Sequence, residues 1–383
     1  MIKIILTYHA FFSCILLNLH AQSFIKEHSP KRLTQYMLDH WQVKEGLPQN
    51  SVNAMVQTND GYIWMGTYEG LVRYNGTSFT VFDKGNTPEF ASNRITSLCR
   101  DTKGRLWIGT YGGGITMYDG ESFSTPVRDS VTGLYVNISS MTSDSSGRIW
   151  AITEKGVYTI RETVLERHYP LFLFGSQVPV HIITDTKGRV WLWTYTKLFV
   201  IDSVTVNECT PNRPQHFVSP PVPSRDGTVW VFDYAPDRTG IVTKYGQQFT
   251  AIDSIPRQLI KQGVSPLFED SRGTLWCYVR EGIATYANGV WDQLRKEEGF
   301  VSENVQSIIE DWEGSIWIGT NGSGLLRFRD SRFTPLGIPE GLPDENVWSI
   351  FEDSRGTKYI GTLGGGYYRI DRQGIHIPSG KSA

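Results

Sequence analysis

The chain has only four cysteines in 383 residues, and no two of them form a CxxC pair. With Cys14 set aside in the N-terminal segment, Cys99, Cys209 and Cys277 leave an odd count, so neither a disulfide framework nor a zinc site is implied. Cys99 and Cys277 read as buried strand residues. The formal net charge is only -2 and there is no basic block, so the electrostatic footprint of a nucleic-acid or anionic-membrane binder is missing. Past the N-terminus no hydrophobic run is long enough to cross a bilayer. No window offers ten residues of helical periodicity without a glycine interrupting it. His28, His40, His168, His181, His216 and His376 are scattered, and no HExxH, GxSxG or Walker A pattern occurs. No metal site, cofactor or catalytic centre is therefore expected.

The N-terminus reads as an export signal. Lys3 supplies a positive charge, Ile4 to Leu19 is mostly apolar, and Ala21 before Gln22 offers a small residue for cleavage. An uncleaved anchor would need about 20 apolar residues, and Thr7, His9, Ser13, Cys14 and Asn18 interrupt this stretch. A lipoprotein signal at Cys14 lacks the usual leucine before it. Residues 1–21 are thus expected to be a signal peptide, with the mature chain periplasmic or extracellular and not inserted in the membrane.

What the sequence does have is a repeat. A glycine followed three residues later by an aromatic occurs as Gly61/Trp64, Gly104/Trp107, Gly147/Trp150, Gly188/Trp191, Gly227/Trp230, Gly273/Trp276, Gly314/Trp317 and Gly356/Tyr359. Successive glycines are 43, 43, 41, 39, 46, 41 and 42 apart, a period that suits a four-stranded propeller blade. Apolar residues six and nine before most of the glycines mark an inner strand, as Ile95 and Leu98 do before Gly104. The polar tetrapeptide at the glycine is a hairpin turn. A second strand such as Leu106 to Gly109 follows, then a glycine-containing loop, a third strand such as Gly114 to Tyr118, and an outer strand. The fold class is all-β, a β-propeller. The recurrent tryptophan fills the wedge between blades, and Asp101, Asp144, Asp185, Asp270, Asp311 and Asp353 cap their turns.

These residues resemble the two-component regulator propeller, the periplasmic sensor region of hybrid histidine kinases and of some diguanylate cyclases. The first unit is similar through Gly46 to Val52, Asp60 to Thr67 and Glu69 to Gly76, and the second through Asn93-Arg94-Ile95, Gly104 to Thr110 and Gly113-Gly114. Units seven and eight keep Gly319-Thr320 and Gly361-Thr362. Units three to six depart from the pattern, with Ile152, Trp193, Phe232 and Tyr278 in place of the glycine of Trp-x-Gly-Thr. Unit five has Pro220, Pro221 and Pro223 where an inner strand should run, so that strand is expected to be short or irregular. The resemblance implies further blades, a β-sandwich, a membrane helix and an output domain, none of which precedes Ala383. Either this is a piece of a longer receptor or a free-standing propeller that works through a partner.

Tyr36 to Val43 looks like an outer strand with no unit before it, as ring closure by an N-terminal strand requires. Seven blades are favoured, with a lead segment at 22–35, the propeller at 36–336 and an eighth unit and tail at 337–383. The alternative is an eight-bladed ring in which Tyr36 to Val43 pairs with Tyr367 to Ile370.

For function, the expected role is a ligand-sensing propeller that takes a carbohydrate or other small ligand, with a homodimer or a membrane-bound kinase as partner. The seventh position after each unit glycine falls in the loop after the second strand and gives Tyr68, Tyr111, Glu154, Tyr195, Tyr234, Arg280 and Asn321. Aromatic faces stack on sugar rings and polar groups orient hydroxyls, so these residues form a candidate ligand rim; the bland alternative is that the tyrosines pad adjacent blades. Tyr111-Gly112-Gly113-Gly114 and Leu363-Gly364-Gly365-Gly366 lack the Lys-Ser/Thr and helix of a phosphate loop and read as turns. Asp226-Gly227-Thr228-Val229-Trp230 faintly resembles the turns of sialidase-type propellers, though the spacing differs. A glycosidase or lyase and a free-standing secreted adhesion propeller remain as alternatives.

Overall fold

One carboxylate organises most of the repeats. In the computed structural model, Asp101 accepts hydrogen bonds through Oδ1 from the backbone N–H groups of Lys103 (2.9 Å) and Arg105 (3.0 Å), which closes the turn around Gly104 at φ 84°. Its Oδ2 accepts from the Trp107 indole N–H at 2.9 Å. The same bond recurs from Trp150 to Asp144, Trp191 to Asp185, Trp276 to Asp270 and Trp317 to Asp311, at 2.7 to 3.0 Å. Asp-x-x-Gly-x-x-Trp thus ties a turn and a buried ring to one charge, and hydrogen bonds to a charged group contribute about 1.5–3 kcal/mol each. Burial alone would raise the Asp144 pKa, but donors from Ser146, Trp150 and Arg148 hold it below the usual value. In unit one Thr58 takes the place of the aspartate, and its Oγ1 accepts from Trp64 at 3.0 Å.

The structure describes residues 32–125, 137–202, 205–210, 217–237, 239–300, 304–330, 342, 344, 346–355, 357–371 and 374–376. The expected signal peptide at 1–21 lies outside them, as does most of the lead segment. Blade one is an antiparallel sheet of Val52–Gln57, Ile63–Thr67, Leu71–Tyr74 and Phe79–Phe82. Blades two, three, four and six repeat it at 95–124, 138–170, 181–208 and 265–295. In blade five the inner segment is split into Phe217–Val218 and Val222–Pro223, both paired with Val229–Tyr234. The break at Pro220 and Pro221 is the irregularity the sequence predicts, since proline has no N–H for the ladder.

Blade seven takes its fourth strand from the other end of the unit. Tyr36–Trp41 lies beside Leu325–Asp330, outside Ile316–Thr320 and Val305–Glu310. The Trp41 ring stacks on Trp317 at 5.4 Å, the Arg327 guanidinium covers both rings, and Asp39 Oδ2 accepts from Arg327 and Arg329. The pairing of this strand with Tyr367 to Ile370, required by the eight-bladed alternative, is not the one found. Inner strands contact one another in succession, and that of blade seven returns to Val52–Gln57, so the seven sheets close a ring.

The chain divides into two compact units. Leu38–Arg329 holds this ring. The other includes a four-stranded sheet of Val347–Glu352, Lys358–Thr362, Gly366–Asp371 and Gly374–His376, with Leu342, Ile360 and Tyr368 buried. Its first strand is exposed along its whole length.

Candidate functional site

The inner strands of the ring carry polar residues toward one another. Asn53, one residue into its strand, donates from Nδ2 to the Ile95 carbonyl at 3.0 Å; Thr96, at the matching position, donates to the Ile138 carbonyl. Ser307 donates to the Val52 carbonyl at 3.3 Å. These bonds link blade seven to one, one to two and two to three, and an open cavity of about 880 Å3 lies among the inner strands. That volume lies within the range of pockets for small ligands, about 300–1,000 Å3.

The mouth of the cavity is built by the loops. Tyr68, Tyr111 and Tyr195 of the expected rim all line it, with Tyr111 50% and Tyr195 70% exposed. Between Tyr68 and Tyr111 lies the Arg94 guanidinium, 4.8 Å and 4.6 Å from the two ring centroids. The Tyr111 N–H donates to the Arg94 carbonyl at 2.9 Å, which holds the two loops together. Arg94 is the residue that reading the rim by a fixed offset from each glycine overlooks. Its signal was present in Asn93-Arg94-Ile95, a stretch that carries the family resemblance.

The other rim candidates are not all brought together. Glu154 is exposed beside the mouth and accepts from the Asn137 N–H at 3.2 Å; Asn137 itself lines the cavity. Arg280 and Asn321 follow their second strands as expected but stand apart from the cavity lining. The Asn321 side chain accepts from the Ser51 hydroxyl at 3.0 Å, linking blades seven and one. Tyr234 is a correction. The second strand of blade five runs Val229–Tyr234, one residue longer than in the other blades, so this tyrosine ends a strand and does not sit in the loop. Its hydroxyl donates to the Val264 carbonyl, its ring packs on Phe232, and burial raises its pKa. It pads the seam between blades five and six.

Deeper in, two lining groups have no hydrogen-bond partner among the described residues: Asn53 Oδ1 and His181 Nδ1, both buried. The Asn53 amide orientation follows from its Nδ2 bond to a carbonyl, which leaves the oxygen as the open acceptor. Burial pushes the His181 pKa down to about 4, so the ring is neutral at pH 7. The lining holds one fixed positive charge, on Arg94, and no carboxylate. Cys99 and Cys277 are buried in strands as expected, and burial raises both thiol pKa values.

Ring, inner-strand cavity and aromatic mouth define a β-propeller. The family described as "Two component regulator propeller" matches residues 46–69 and 89–112. Among solved structures, the chain is similar to the extracellular domain of a protein of B. thetaiotaomicron assigned to a hybrid two component system. That match has a TM-score of 0.67 and 18% identity, over 89% of this chain and 49% of that one. A second extracellular domain from B. thetaiotaomicron, assigned to a one component system, matches with a TM-score of 0.59 and 19% identity, over 90% of this chain and 46% of that one. This chain therefore spans about half the length of either. Virginiamycin B lyase from Staphylococcus aureus, a catalytically inactive variant with quinupristin, is similar at a TM-score of 0.61 and 13% identity, over 79% of this chain and all of the other. At such identities the likeness shows the fold. No curated protein matches the chain.

Proposed function

We propose that the chain is the ligand-sensing propeller of a two-component-type receptor, acting outside the cytoplasm on a carbohydrate or other small ligand. The observation that carries this reading is the cavity itself: its volume suits a small ligand, and three tyrosines and a guanidinium gather at its mouth. The repeat family and the likeness to extracellular domains of bacterial regulatory systems support the sensing role. Among the described residues no helix is long and apolar enough to cross a membrane. In this reading the signal passes to an output region or partner kinase through a change in how propellers pack, and that requires the ligand to prefer one packing over the other.

The test is a calorimetric binding screen of the chain against a panel of oligosaccharides, repeated with Tyr195→Ala. Binding of a panel member, weakened at least about tenfold in Tyr195→Ala (the loss of one aromatic stacking contact, about 1.4 kcal/mol), supports the reading. Unaltered binding by that variant would move the site elsewhere. Hydrolysis or elimination products from the panel would favour an enzyme instead.

A further inference from the structure

The arrangement of charge in the cavity is lopsided. Arg94 has five N–H donors on a planar fork, and its side chain makes no hydrogen bond or ion pair among the described residues. Two tyrosine faces hold it from either side, so its position does not depend on a carboxylate of the protein. The lining supplies no negative charge to neutralise it. The acidic rim candidate, Glu154, accepts from the Asn137 backbone N–H. Beneath the mouth, the Asn53 carbonyl oxygen is buried and unmet, as is a nitrogen of the His181 ring.

We propose that the ligand of this cavity is a polyhydroxylated carboxylate, with its carboxylate on the Arg94 fork. The proposal rests on the sensing reading above and adds the chemical class of the ligand. A carboxylate matches the guanidinium in charge and in its planar, two-point geometry. A phosphate, with close to two negative charges, would call for a second cation that the lining does not hold. The ring faces of Tyr111 and Tyr195 suit the apolar face of a sugar ring. Both a free sugar acid and a uronate residue within an oligosaccharide present this chemistry.

The experiment is calorimetry on the full chain with four probes: D-galacturonate, trigalacturonate, and the neutral counterparts D-galactose and galactotriose. Arg94→Gln, an exposed change expected to leave folding intact, is measured alongside, with circular dichroism as the check. The expected result is binding of at least one acidic probe at least tenfold tighter than its neutral counterpart, with that preference lost in Arg94→Gln. Preference for the monomer identifies a free sugar acid, and preference for the trimer a polyuronide. Equal binding of acid and neutral probes, or an acid preference that survives Arg94→Gln, would overturn the inference while leaving a carbohydrate-sensing propeller standing. If neither acid binds, the inference is overturned as well, and the separate neutral-glycan screen then decides the broader reading.

Discussion

The ring is stitched in two ways. Between blades seven and one, one and two, and two and three, the glycine of Trp-x-Gly-Thr lets the next inner strand come close. A Cβ on Gly66 would stand 2.6 Å from Ile95 Cγ2, one on Gly109 2.7 Å from Ile138 Cγ2, and one on Gly319 2.6 Å from the Val52 carbonyl oxygen. In blades three to six the same position carries a large side chain, and in blades three to five it reaches the neighbour itself. Ile152 is buried in one cluster with Ile182 of blade four, Trp193 donates to the Val218 carbonyl at 2.9 Å, and Phe232 packs with Val264 and Trp291. The difference bears on the site. Ile95 touches Gly66, Arg94 precedes it, and Tyr68 and Tyr111 lie two residues beyond Gly66 and Gly109. The glycine seams thereby bring the guanidinium between its two rings, and Tyr68, Arg94 and Tyr111 all fall within the two stretches that match the family repeat.

The comparison can be broken first by exchanging the two kinds of seam. Ile152→Gly empties a fully buried site and adds backbone freedom, so it is expected to destabilise by about 3–5 kcal/mol. Urea unfolding followed by tryptophan fluorescence reads this as a lowered midpoint, and a wild-type midpoint would show that the seam does not depend on that side chain. In the other half, Gly66→Val and Gly319→Val overpack and are each expected to destabilise by about 1–3 kcal/mol. Only Gly66→Val should also loosen Arg94 from Tyr68 and weaken ligand binding. Equal loss of binding in both variants would mean that the mouth senses general destabilisation.

The smallest effect concerns the closing strand. Burial would raise the Asp39 pKa, but hydrogen bonds from Arg329 and Arg327 and the field of both guanidinium groups outweigh it and leave the carboxyl below its usual value. A depressed carboxylate stabilises the fold above its unfolded pKa, near 3.9, and that contribution is lost as pH falls through the folded value. The site is partly open to solvent, so the contribution is about 1 kcal/mol or less. Asp39→Asn should lower stability at pH 7 and flatten its dependence below pH 4. An unchanged acid limb in a pH series of urea melts would remove Asp39 from the closure.

The turn-and-ring unit was legible in the sequence because aspartate, glycine and tryptophan must hold fixed spacing for one carboxylate to bond both backbone and indole. The closing strand was legible as an apolar-patterned segment with no unit before it. The rim was only partly legible. Counting seven residues from each glycine assumes a second strand of constant length, and blade five, with its longer Val229–Tyr234, breaks that assumption. Arg94 was missed because the count samples loops after second strands, whereas it precedes an inner strand of the next blade. Nothing in sequence spacing marks Asn53 or His181 as unsatisfied, because that depends on which donors and acceptors the neighbouring blades present.

The most direct test of the account is a crystal structure of the chain grown with whichever uronate binds in calorimetry. The account predicts the ligand within the inner-strand cavity, its carboxylate at hydrogen-bond distance, about 2.7–2.9 Å, from the Arg94 fork. Tyr68 and Tyr111 should still flank that fork. A ligand seated outside the cavity, or inside it with a neutral face toward Arg94, would contradict the account.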